Sequence, residues 1–103
     1  MIRLVEHTDD ALLVAEDGGM IVGTLIAAWD GWRGGMYRLA VLPEYRRRGI
    51  AQALVEAAHE RLRAKGARRI TALVGADEAE AHALWRTLGY ERDLHVIRFV
   101  RNL

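Results

Sequence analysis

The apolar residues of this chain change their spacing at Pro43, its single proline, and that change limits the folds open to it. Before it, residues 11–16 (ALLVAE), 20–29 (MIVGTLIAAW) and 36–42 (MYRLAVL) are aliphatic and β-branched runs. DGG and DGWRGG stand between them, the composition of strands joined by tight turns. They predict a meander of three antiparallel strands. Gly23, inside the second run, marks a bulge or a close backbone approach. After Pro43, residues 50, 51, 54, 55, 58 and 62 are apolar at i, i+4, i+8 and i+12 with neighbours beside them, one stripe of a helix over 50–65 that Gly66 caps.

The remainder follows the same logic. RRITALV (68–74) reads as a strand, and Asp77 with Glu80 as the N-cap and capping box of a second helix. Ala81, Leu84, Trp85 and Leu88 form its apolar face, and Gly89 stops it. Residues 90–93 and 95–100 read most simply as a terminal hairpin. MIRLVEH has too few apolar positions to settle its structure, the last turn of a helix being one reading. The order βββ-α-β-α-ββ describes an α/β (mixed α+β) fold, a mixed sheet flanked by helices. With 103 residues, 51% of them hydrophobic and 28% charged, the expectation is one globular domain over residues 1–103.

The charges are locally uneven although the net charge is only +1. Of 15 Lys and Arg residues only Lys65 is a lysine, and Arg46, Arg47 and Arg48 stand side by side. A near-neutral balance argues against a uniformly basic nucleic-acid coat. There is no cysteine, which excludes disulfides and thiolate catalysis and gives no reason to expect export. No apolar run reaches the roughly 18 residues of a membrane span, and the first ten residues lack a signal-peptide pattern. The expectation is a cytoplasmic protein with no membrane partner.

Three like charges at the start of a helix repel unless they splay into water or face an anion. A strand ending at Val41, a short loop and a helix opening near Gly49 would aim unpaired N–H groups at one anion. Gly49 lets the backbone approach it, and Ala51 keeps the first turn thin. A solvated loop remains the alternative. A nucleic-acid patch fits less well, since interleaved aromatic platforms are missing.

The block LAVLPEYRRRGIAQALVEAAHERLRAKGARRI resembles the centre of the GNAT-type N-acetyltransferases. Their Arg/Gln-x-x-Gly-x-Gly/Ala motif is matched by Arg46, Gly49 and Ala51, preceded by Val41, Pro43, Glu44 and Tyr45. ADEAEAHALWRTLGYE resembles the family's later helix. The resemblance runs from about Leu13 to the C-terminus.

It implies that acetyl-CoA is the cosubstrate and that an amine attacks its thioester directly, with no metal. It implies that backbone groups of Leu39, Ala40 and Val41 pair with the pantetheine arm. Arg46, Arg47, Arg48, Gly49, Ile50, Ala51 and Gln52 would then hold the pyrophosphate. Two positions depart from the family. Its proton-donating tyrosine corresponds to Trp85, and its asparagine to Glu78, so the catalytic candidates reduce to Trp85, Glu78 and Tyr90. Members usually begin with a strand and two helices, of which MIRLVEH resembles only the end of the second helix. The edge so uncovered predicts a homodimer or another covering partner.

Other residues carry weaker signals. Trp29, Asp30 and Trp32 either shape an acceptor site or form a packed turn, the turn being favoured. His7, His59, His82 and His95 have no metal-like spacing, and His82 reads as solvated or packed. Arg61, Arg63, Arg68 and Arg69 read as a solvated face. The reading is an N-acetyltransferase acting on a small molecule or a protein amine. The alternatives are a CoA-binding protein without turnover, acting as a sensor or partner subunit, and a basic nucleic-acid module.

Overall fold

The computed structural model describes residues 1–6 and 11–103, so His7 lies outside the described residues. These fall into two compact units, Met1–Leu73 and Val74–Leu103. The first holds a five-stranded sheet in the order β1-β2-β3-β4-β5, with β1 Ile2–Glu6, β2 Leu12–Asp17, β3 Met20–Trp29, β4 Gly34–Val41 and β5 Ile70–Ala72. The first four strands pair antiparallel, and β5 joins β4 in parallel. Parallel neighbours need a crossover, which α1 supplies at Ile50–Ala64.

The mixed α/β class expected from the sequence is the fold found, with two differences at the ends. Residues 2–6 are a strand rather than the end of a helix. Ile2 pairs with Asp17, Leu4 with Ala15 and Glu6 with Leu13. A seven-residue helix is marginal by itself, whereas an added strand satisfies its backbone on the open edge of β2. The expected terminal hairpin is absent: residues 90–100 form no strand. Val96 and Ile97, like Phe99 and Val100, are adjacent and exposed, so the segment lacks the alternation of a half-buried strand. A lone two-stranded hairpin would be marginal in any case. The described order is therefore ββββ-α-β-α.

The core of the first unit lies between α1 and one face of the sheet. Ile50, Leu54, Val55, Ala58 and Leu62 of α1 are buried, as the periodicity predicts. Gly23 sits directly beneath the helix. A Cβ there would meet Ile50 Cγ2 and Leu54 Cδ1, both at 3.2 Å, and one on Gly34 would meet Leu62 Cδ1 at 3.1 Å. The pairing of Gly23 with Ala15 and of Leu25 with Leu13 places those residues on the same covered face. The register shifts once between Ala15 and Glu16, so Gly23 serves both readings of the sequence, an irregularity and a close approach.

In the second unit, α2 spans Ala79–Thr87. The cap position belongs to Glu78, not Asp77, and no side chain caps the helix, so the expected capping box is not formed. His82 Nε2 instead lies 2.8 Å from the Gly75 carbonyl, tying the approach loop to the first turns. Gly89, at φ +91°, ends the helix as expected.

Leu62 is completely buried. Leu62→Ala leaves a cavity under the C-terminal half of α1 and should lower the unfolding free energy by about 2–5 kcal/mol. Urea denaturation measures this, and a loss below about 1 kcal/mol would contradict the packing described.

Candidate functional site

The two edges of β4 are used unequally. Along one edge β4 pairs with β3 through most of its length, from Trp29↔Gly34 to Gly23↔Val41. Along the other it pairs with β5 only at Gly34, Gly35 and Met36, and the last bond is donated by Leu73 N–H to the Met36 carbonyl at 3.2 Å. Beyond Met36 no strand among the described residues takes that second edge. Arg38 lies there in the left-handed region, at φ +55°, and the β3–β4 register shifts opposite it. A bulge of this kind bends a strand and changes the direction of its peptide groups. The structure thus leaves a stretch of open β edge at residues 37–41, which contains Leu39, Ala40 and Val41.

This open edge runs directly into the arginine turn. Pro43–Tyr45 is one turn of 3-10 helix, with Pro43 at its start where a missing N–H costs nothing. Arg46 is extended, Arg47 is left-handed at φ +63°, and Gly49 is left-handed at φ +80°. Gly49 is the N-cap of α1 and has no side chain to cap with. The first intrahelical bond runs from Ala53 N–H to the Gly49 carbonyl at 3.0 Å. Ile50, Ala51 and Gln52 therefore keep N–H groups without an intrahelical acceptor. A Cβ built on Gly49 meets no atom within 4 Å. Open space, free N–H groups, the positive end of a helix and neighbouring guanidinium groups form a donor set that suits a diphosphate.

Two of the arginines have partners within the turn. Arg46 Nε donates to the Val41 carbonyl at 3.1 Å, folding its side chain back on the strand. Arg48 lies over the Tyr45 ring, 4.7 Å from its centroid. Tyr45 in turn donates its hydroxyl to Asp17 at 2.7 Å. The Arg38 bulge and this Asp17 contact carry no sequence signal: Arg38 belongs to an unbroken strand pattern, and Asp17 lies 28 residues from Tyr45.

Residues 2–90 match the family model described as "Acetyltransferase (GNAT) family". This chain is a member of the GNAT acetyltransferase family. Acetyltransferase SG1711 of Sodalis glossinidius is 37% identical over 101 residues, covering 98% of this chain and 71% of that protein. Acetyltransferase ECA0875 of Pectobacterium atrosepticum is 39% identical over 89 residues, covering 86% and 63%. Among solved structures, the aminoglycoside acetyltransferase HMB0005 from an uncultured soil metagenomic sample is 34% identical. It has a TM-score of 0.72 and covers 89% of this chain and 64% of that one. The aminoglycoside N-acetyltransferase AAC(6')-Iy in complex with CoA shares the fold, at a TM-score of 0.76 and 22% identity over 89% and 66% of the two chains. The chain thus spans 71% and 63% of the length of these two curated relatives.

The remaining candidate residues belong to the turn between β3 and β4 and to the second unit. Asp30 Oδ1 accepts the N–H groups of Trp32, at 2.8 Å, and Arg33, at 2.6 Å, closing its own turn. These two bonds, that from Arg33 first, hold its carboxyl below the ordinary value. Trp32 is exposed and stacks on Arg33, at 4.6 Å from Arg33 Cζ to the ring centroid. Within the second unit, Trp85 is buried and meets Tyr90 edge to face, with centroids 4.8 Å apart. Burial pushes the Tyr90 phenol up to about 12, so it stays protonated at neutral pH and is a weaker acid than ordinary tyrosine. Glu78 is exposed at the start of α2. Trp85, by contrast, has only an indole N–H to offer.

Gly49 isolates the backbone requirement of the turn. Gly49→Ala meets no neighbour, yet the left-handed conformation should cost about 1–2 kcal/mol. Asn tolerates that conformation better, so Gly49→Asn should melt above Gly49→Ala in a thermal scan. Equal melting of the two variants and the wild type would show that the turn does not require φ +80°.

Proposed function

We propose that this chain transfers acetyl from acetyl-CoA to an amine by direct attack within a ternary complex. The observation that carries this reading is the open edge of β4 at residues 37–41, continuous with the arginine turn and the uncapped start of α1. An amide-bearing arm laid along that edge would pair with backbone groups of Leu39, Ala40 and Val41, the Val41 carbonyl already accepting from Arg46. A diphosphate following it would arrive at the N–H groups of Ile50, Ala51 and Gln52 beside Arg47 and Arg48. Arg46 helps indirectly, by bracing the end of the strand. The whole chain, residues 1–103, would act as one acetyl-CoA-binding domain.

Bound acetyl-CoA supplies the activated thioester. The protein's share is positioning: holding the arm and diphosphate fixes the thioester for a neutral amine, and approximation of this kind supplies much of the rate. With no cysteine in the chain, direct attack needs no thiol carrier on the protein. Asp30 keeps one carboxylate oxygen outside its turn bonds. Together with Trp29 and Trp32 it is the proposed lure for a cationic acceptor on a small molecule or protein. Aminoglycosides belong in the acceptor panel because a similar structure acts on them.

A second reading, CoA binding without turnover, is favoured by Trp85 at the family's tyrosine position and by the weak acidity of Tyr90. Release of free CoA thiol with acetyl-CoA and a panel of amines separates the two readings. A cytoplasmic setting is also proposed; no helix among the described residues is long and apolar enough to cross a membrane. A homodimer across β1 is also proposed, because Ile2 and Leu4 are 38% and 40% exposed on the edge strand.

Gly49→Glu should abolish CoA binding in calorimetry by placing a carboxylate beside the diphosphate, while Gly49→Ala, equally strained, should retain it. Unchanged CoA affinity in the glutamate variant would remove the assignment. The wild type should elute as twice 11.6 kDa in gel filtration, and Leu4→Lys as a monomer. A wild-type monomer would remove the dimer.

A further inference from the structure

The arginine turn is anchored from a distant part of the sheet. Asp17 closes β2, at the turn into β3, and its Oδ2 accepts the Tyr45 hydroxyl at 2.7 Å. Its Oδ1 faces the N-terminal amine at 3.2 Å. The bond from Tyr45, then that amine, and more weakly the charge of Arg48, hold the Asp17 carboxyl below its ordinary value. The same bond is the first cause raising the Tyr45 phenol. At neutral pH the pair is therefore an ionised acceptor and a protonated donor. Over the Tyr45 ring lies Arg48, its Cζ 4.7 Å from the ring centroid.

This chain of contacts answers the problem set by three adjacent guanidinium groups. Free in water, they would splay, and the backbone of residues 46–49 would sample many conformations. Two of the three are instead tied, Arg46 to the Val41 carbonyl and Arg48 to the Tyr45 ring. Arg47, left-handed at φ +63°, lies between the two tied residues.

We propose that Asp17 and Tyr45 are positioning residues for the diphosphate. They hold Arg48 and the turn in the anion-receiving arrangement before the ligand arrives, so that affinity for CoA depends on them while the acetyl-transfer step does not. The inference rests on the CoA reading above. Its physical basis is preorganisation: a turn already ordered gives up less freedom on binding. A hydrogen bond to a charged carboxylate is also stronger than one between neutral groups.

The test uses Tyr45→Phe, which keeps the ring under Arg48 and removes only the donor, and Tyr45→Leu, which removes both. Calorimetry with CoA should show Kd raised about five- to tenfold in Tyr45→Phe, and further in Tyr45→Leu. Asp17→Asn should resemble Tyr45→Phe. In turnover, kcat/KM for acetyl-CoA should fall by the same factors, with kcat unchanged. The value for S-acetyl-pantetheine, which has no diphosphate, should stay at the wild-type level. Wild-type CoA affinity in Tyr45→Leu would overturn the proposal. So would an equal fall for both thioesters, which would mean that the substitutions only loosen the fold. A wild-type protein that ignores CoA would instead remove the parent reading.

Discussion

The close seat of α1 on the sheet is the constraint from which the rest of the first unit follows. Gly23 and Gly34 remove side chains at two points beneath the helix, and Ile50, Leu54 and Leu62 fill the space. Protein interiors pack with few voids, so a helix this near its sheet has little room to slide or tilt. Its first residue is Ile50, which is itself buried over Gly23. The N–H groups at the start of α1 are thereby held at the end of β4, one turn of chain beyond Val41. A ligand-binding turn need not be rigid by itself when its helix is pinned on one side and its strand on the other.

A second constraint acts on β4. It has a neighbour on both sides for three residues and then on one side only. The Arg38 bulge marks the change. Peptide groups on an open edge must find water or a partner, and in this family setting the proposed arm of CoA supplies that partner. Local charge follows the same economy: the net charge of +1 gives no general attraction. Whatever draws an anion here comes from a few guanidinium groups and a helix end acting at short range, where salt screens them least.

How much of this could be read from the sequence depended on whether a signal was local. The α1 stripe was plain, because residues 50, 54, 55, 58 and 62 repeat at helical spacing and all are buried. The β3 run and the turn at Gly49 were likewise legible, being set by residues within a few positions of one another. Residues 2–6 were not, since Ile2, Leu4 and Val5 take their structure from β2 rather than from their own pattern. The reverse error occurred at 95–100, where strong β formers found no edge to join. Asp77 lost the cap to Glu78 because the loop is held through Gly75 and His82 instead. The Asp17–Tyr45 bond joins residues 28 apart and left no mark on either neighbourhood.

The topology also sets an order of events. Strands β1 to β4 pair only with neighbours in sequence, so the meander closes short loops and forms with little entropic penalty. The β4–β5 ladder is different. It joins three residues of each strand across the whole of α1 and the arginine turn. Non-local pairing of this kind comes late in folding and, with so few bonds, is the first to open. The open edge at residues 37–41 therefore begins where the sheet is most thinly paired, and in hydrogen exchange the β4–β5 seam would breathe while the meander stays shut.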